Sequence, residues 1–195
     1  MSAPAKVKTN SLLQPLAWIY GEVMKARNER FDTGRTKIES FGVPVISVGN
    51  ISVGGTGKTP MSAYILRLLQ EQGVRPALLS RGYGRKTKGY CAATLQSTAA
   101  DIGDEPLEIY RMFNTKVPVR VCEKRCEGAR RLLQENEGIG AIVLDDAYQH
   151  RYIHRDLNIL LTDYNRLYTR DKVLPAGRLR EIAQGAERAN IIVVT

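Results

Sequence analysis

The stretch VPVISVGNISVGGTGKTP, residues 43–60, decides the fold. It opens with a short β-branched run and passes through a glycine-rich turn. An apolar-periodic segment then runs to about Gln72, so the order is strand, loop, helix. Within it, SVGGTGKT (52–59) is close to the pattern GxxxxGK[ST]. Ser52 stands where that pattern has its first glycine, and Gly54 and Gly55 supply flexibility inside the loop. Successive backbone N–H groups across Gly54, Gly55, Thr56 and Gly57 would form a nest for phosphate oxygens. The helix that follows would present its positive end to the same anion. Lys58 is placed to reach the β- and γ-phosphates, and the Thr59 hydroxyl to ligate Mg²⁺.

Outward from this loop the chain alternates strands and helices. Apolar strands are expected at 75–80, 117–122, 141–146, 157–163 and 190–195, with a charged helix near 123–136 and a basic loop, RGYGRKTKGY, at 81–90. Such alternation implies a parallel α/β sheet flanked by helices. The run AIVLDD (141–146) delivers Asp145 and Asp146 to the carboxyl edge of that sheet, where open α/β sheets bind ligands. An isolated pair of aspartates would mark a strand-end turn; coupled to the loop at 52–59 the pair reads as the metal-side acids of an NTPase or kinase. The guanine-reading motif NKxD is absent, which favours adenine. The final strand, NIIVVT, is expected to be an inner strand, so the fold looks cut short at its end, with a C-terminal edge strand as the alternative.

Composition narrows the class. The chain has 195 residues, 43% hydrophobic and 25% charged, with only three cysteines and two histidines. These values exclude a disulfide scaffold, wholesale disorder and a histidine-rich metal site. Twenty-nine Lys and Arg against 20 Asp and Glu leave +9, a balance that favours anionic partners. No apolar run approaches the ~20 residues needed to span a bilayer.

Ahead of the sheet, SLLQPLAWIYGEVMKARNERF (11–31) places Leu16, Ile19, Tyr20, Val23 and Met24 at helical spacing, with Trp18 off the stripe and Lys25, Arg27 and Arg30 following. Such a helix packs on its own domain or lies in a membrane interface, with Trp18 and Tyr20 at headgroup level.

Seven segments in order resemble the tetraacyldisaccharide 4'-kinase family: PLAWIYGEVMKARNERFDTG, VPVISVGNISVGGTGKTP, SRGYGRKTKG, GDEP, VLDDAYQHR, HRDLNILL and LPAGRLRE. The resemblance runs from about residue 12 to the end. It implies ATP- and Mg²⁺-dependent phosphorylation of the 4'-hydroxyl of a lipid-anchored disaccharide 1-phosphate, giving lipid IVA. It implies a peripheral enzyme on the cytoplasmic face of the bacterial inner membrane, and it favours the interfacial reading of the N-terminal helix. Nucleic acid becomes the least favoured partner. Carried over by position, Asp104 of GDEP matches the base for the sugar hydroxyl. Glu105, Asp145, Asp146 and Thr59 form the metal shell. Lys58, His150, Arg178 and Arg180 are candidates at the transferring phosphate. Asn50, Arg81, Tyr83, Arg85 and Lys86, with Trp18 and Tyr20, are candidates for substrate or membrane contact.

The expected organisation is an interfacial segment at 1–40 and a P-loop kinase domain at 41–195. Family members continue into a second α/β lobe, so kinase activity is not assured for residues 1–195 alone. The alternative is a P-loop ATPase switch of another class with no lipid substrate.

Overall fold

The computed structural model describes Val7 and residues 9–195. The first residues of the segment expected at 1–40 therefore fall outside the described residues. A seven-stranded sheet forms the centre. Its strands are β1 (Val45–Gly49), β2 (Pro76–Ser80), β3 (Cys91–Ala92), β4 (Val119–Val121), β5 (Ala141–Asp145), β6 (Leu157–Thr162) and β7 (Ile191–Val194). Their spatial order is β3-β4-β2-β5-β1-β6-β7. All neighbours run parallel except β3, which is antiparallel to β4. β3 has no counterpart among the expected strands, because two residues carry no periodicity.

The central strands β1, β2 and β5 are buried at every position. That explains their unbroken apolar runs: parallel strands covered on both faces cannot alternate. α2 (Lys58–Glu71) covers β1, β2 and β5, while α5 (Arg125–Glu135) lies on β2 and β4. α4 (Asp104–Met112) packs on β4 and is preceded by the short α3 (Ala99–Ile102). Leu78 and Leu144 are fully buried, and each such side chain contributes about 1.5–3 kcal/mol by leaving water. In register, Val48 of β1 faces Asp145 of β5, so the chain leaves both strands at the same edge.

β7, read from the sequence as an inner strand, is the edge of the described sheet. Ile191, Ile192 and Val194 are exposed there.

The N-terminal helix α1 (Gln14–Asp32) divides the apolar stripe expected of it. Ala17, Gly21, Asn28 and Phe31 are buried and Tyr20 and Met24 half-buried, whereas Leu16, Trp18, Ile19 and Val23 are exposed. The stripe was too wide for a single contact face: the small residues Ala17 and Gly21 allow close approach to the domain, and the larger side chains stand on the other faces. Among the described residues, no helix is long and apolar enough to cross a membrane.

Candidate active site

The P-loop forms as its sequence dictates. Gly57 adopts φ +71°, a left-handed conformation that only glycine takes without strain, and α2 starts at the next residue. No side chain caps that helix, so its first N–H groups are left to an anion. Within the loop, Asn50 Nδ2 donates to Thr56 Oγ1 at 2.7 Å, both residues buried. Thr59 follows in the first turn of α2, half-buried. A second segment braces the loop from outside. Val53 N–H donates to the Arg178 carbonyl (2.8 Å), and Arg180 N–H donates to the Ile51 carbonyl (2.7 Å).

At the end of β5 the two aspartates meet different surroundings. Asp145 is 1% exposed and accepts a hydrogen bond from Ser62 Oγ at 2.8 Å. Burial pushes its carboxyl up to about 6 against the Ser62 bond, with the charges of Glu105 and Asp146 adding to the rise. Its Oδ2 is buried without a hydrogen-bond partner. Asp146 has φ +45° and is partly exposed. It lies 3.8 Å from Lys58 Nζ and 3.3 Å from Arg180 Nη1.

Asp146 and Arg180 open onto a cavity of about 380 Å³ at the carboxyl edge of the sheet. Arg27, Arg81, Tyr83, Glu105, Arg125, Asp146, Gln149, His150 and Arg180 line it, with Ser80 at the end of β2. His150 has its Nε2 buried without a partner. Burial, with Arg125 and other arginines nearby, draws its pKa down to about 3, so the imidazole is neutral near pH 7. Arg125, at the start of α5, is 6% exposed, and burial lowers its pKa.

Asp104 and Glu105 occupy the first turn of α4 and are exposed. Gly103, at φ +91°, makes this turn possible: a Cβ there would stand 2.8 Å from the Tyr83 carbonyl oxygen. The GDEP turn is thus pressed against the 81–84 loop. Glu105 lines the cavity and Asp104 stands beside it in the chain.

Not every expected residue converges. Arg178 is exposed and lines a separate depression with Asn10 and Asn165, whereas Arg180, two residues on, reaches Asp146. Arg85 is held by Glu123 at 2.6 Å and by the Gly89 carbonyl, and its side chain is 2% exposed. It ties the basic loop together, while Arg81, Lys86 and Lys88 line a shallower basin beside the cavity. Trp18 stands exposed on α1, and Tyr20 points inward, donating its hydroxyl to the Arg180 carbonyl at 2.7 Å.

Three site residues have no role that the sequence itself makes legible. Arg27 of α1 lines the cavity and donates to the Gln149 carbonyl at 2.9 Å. Arg125 arrives from α5, where one arginine among three in a charged helix gives no signal. Glu181 is 1% exposed and accepts from Asn28 Nδ2 (3.0 Å), Arg188 Nη2 (2.8 Å) and Gln149 Nε2 (3.2 Å). Gln149 Nε2 also donates to the Asn50 carbonyl, so α1, the acid loop and the P-loop share one network.

The family described as tetraacyldisaccharide-1-P 4'-kinase matches residues 9–195. The chain belongs to that family. Among curated relatives, the tetraacyldisaccharide 4'-kinase of Bacteroides thetaiotaomicron is 51% identical over 190 residues, covering 97% of this chain and 50% of that protein. The enzyme of the same name from Porphyromonas gingivalis is 47% identical over 196 residues, covering 54% of that protein. A crystal structure described as the "apo" form of LpxK from Aquifex aeolicus in complex with ATP superimposes with a TM-score of 0.87 at 40% identity. It covers 95% of this chain and 58% of that one. The chain spans about half the length of the curated relatives it matches.

The residues fit the Mg²⁺ that such kinases imply. Asp145 offers a buried oxygen with no protein partner, and Glu105 is near enough to raise its pKa. No three His, Cys, Asp or Glu side chains form a closed cage among the described residues. An open donor set of this kind suits Mg²⁺, which takes most of its ligands from phosphates and water.

Proposed function

We propose that the intact protein transfers the γ-phosphate of ATP to the 4'-hydroxyl of a tetraacyldisaccharide 1-phosphate, giving lipid IVA. The observation that carries this is the convergence of Lys58 and Arg180 on Asp146, which with Arg180 lines the cavity, in a chain of this family. Lys58 and the N–H groups of residues 54–59 hold the β- and γ-phosphates of ATP. Arg180 offers a planar fork to the transferring phosphoryl group, held in place through its backbone by Tyr20 and Ile51. Thr59, Glu105, Asp145 and Asp146 would hold Mg²⁺, which neutralises charge developing on the phosphate oxygens when bound. Asp104 accepts a hydrogen bond from the attacking hydroxyl and orients it. The neutral His150 and the Tyr83 hydroxyl are available to the sugar or the γ-phosphate, and Arg81 and Lys86 to the phosphate of the lipid.

The same proposal assigns residues 1–40 to a membrane-facing segment and 41–195 to the kinase portion. The exposed Leu16, Ile19, Val23 and Trp18 support contact with the acyl chains or the bilayer, and the +9 charge supports an anionic surface. The enzyme then works on the cytoplasmic face of the inner membrane.

The test is transfer of label from γ-³²P ATP to the lipid disaccharide 1-phosphate in detergent by the intact protein. Mg²⁺-dependent labelling at the 4'-position is expected. ATP hydrolysis with no labelled lipid under any condition would replace this reading with a P-loop ATPase of another class.

A further inference from the structure

A second cationic pocket lies beside the amino ends of β6 and β7. Its volume is about 210 Å³, and it shares no lining residue with the cavity at the carboxyl edge. Arg151, His154, Arg155, Asn158, Arg188 and Asn190 line it. The connection from β5 to β6 builds it. That link returns from the carboxyl to the amino edge without a helix, and it carries Arg151 and Arg155 on the way.

The pocket's lining carries three arginines and no carboxylate. Arg151 pairs with Asp32 at 2.5 Å and donates to the Asn28 carbonyl. Arg188 pairs with Glu181 at 2.8 Å. His154 lies 3.8 Å from Asp156, whose other oxygen accepts from Val45 N–H. Among the described residues Arg155 has no carboxylate partner; it donates from Nη1 to the Tyr148 carbonyl, at 2.9 Å. Burial, with Arg188 and Arg151 nearby, draws its pKa down to about 10. The Nε donors of Arg151 and Arg188 are also buried without partners, and Arg151 is only 6% exposed. Arg155 and the two buried Nε donors are thus left with hydrogen-bonding capacity that an anion in the pocket would satisfy.

We propose that this pocket binds a small tetrahedral oxyanion, inorganic phosphate or the phosphate of a phosphomonoester, between Arg151, Arg155 and Arg188, as a second phosphate site separate from the P-loop. Guanidinium forks match phosphate oxygens two at a time, which favours a phosphate over a halide. The volume suits one phosphate group and is below the ~300 Å³ at which pockets for larger organic ligands begin. Asn190 sits at the rim, its Oδ1 accepting from Asn158 N–H at 2.8 Å.

The test uses the intact protein with its P-loop filled by a non-hydrolysable ATP analogue and Mg²⁺. Inorganic phosphate and glycerol 3-phosphate are titrated separately by calorimetry. Saturable binding at one site per chain is expected, and the tighter of the two titrants identifies a free ion or a monoester as the natural ligand. Arg155→Gln should weaken binding at least tenfold. Asn190→Asp keeps the acceptor for Asn158 N–H but adds a negative charge at the rim. It should weaken binding several-fold while melting, without phosphate, at the wild-type temperature. If Arg155→Gln fails to fold, Asn190→Asp decides. Absence of saturable binding with the P-loop filled, or equal affinity in the wild type and the folded variants, would overturn the proposal.

Discussion

The carboxyl edge of the sheet and the N-terminal helix present opposite chemistry a single hydrogen bond apart. At the sheet edge, charged groups are gathered and partly dried: Asp145 is buried, His150 is held neutral, and Lys58 and Arg180 face Asp146. On α1 the outer side chains Leu16, Ile19 and Val23 are apolar and open to solvent. Tyr20 and Arg27, on the inner side of that helix, bond to the Arg180 and Gln149 carbonyls and join the two regions. An amphiphile with a phosphorylated sugar head and acyl chains needs both surfaces at that separation. On the proposed reading the helix would carry recognition and the sheet edge chemistry, so damage to each should leave a distinct signature.

The largest effect is expected at the sheet edge. Lys58→Ala should lower kcat by ~10²–10³, as losing one preorganised cation at a developing charge does elsewhere. Lipid labelling by the purified variant measures this, and activity near wild type would break the division of labour. Arg180 and Arg178 make the next comparison. Arg180→Ala should cost ~10² in kcat by removing a guanidinium from the transferring phosphate. Arg178→Ala should stay within about twofold, because its side chain lies in another depression. Equal losses would mean that position near Asp146 is not what matters.

A smaller effect concerns stability. The His150 pKa is about 3 when folded against 6.5 in the ordinary state. Its neutral burial therefore contributes fully above pH 6.5, and that contribution is lost as pH falls from 6.5 towards 3. The slope approaches about 1.4 kcal/mol per pH unit in that window. Denaturant melts at several pH values should show His150→Gln flattening the acid-side loss, whereas an unchanged slope would place the titration elsewhere. The smallest change belongs to the helix. Leu16→Ser, Ile19→Ser and Val23→Ser together should reduce flotation with anionic vesicles several-fold. Because the three side chains are exposed, stability should shift by no more than ~0.5 kcal/mol for each. Equal flotation of variant and wild type would remove α1 from membrane contact.

Much of this was legible before any coordinates. The P-loop, the pair Asp145–Asp146 and the strands β1, β2, β4, β5 and β6 follow from local signals: glycine at a left-handed turn, apolar runs of strand length, acids at a strand end. β3 was not legible, because two residues show no period. The division of α1 was not either, because Leu16 and Tyr20 share one helical spacing and only the packed neighbour, here the Arg180 carbonyl that takes the Tyr20 hydroxyl, decides which one turns inward.

The sequence by itself determined the sheet, the phosphate loop and the family, since each depends on residues close together in the chain whose backbone preferences and burial need no distant partner. Only the tertiary structure decided that Arg180 rather than Arg178 meets Asp146, that Arg27 and Arg125 enter the cavity, and that Glu181 ties α1 to the acid loop. It also decided that Arg151, Arg155 and Arg188 gather in one pocket. The physical reason is common to all four: a charged side chain has no periodic signature, and its role is fixed by which opposite charges and buried donors the fold brings within a few ångströms of it.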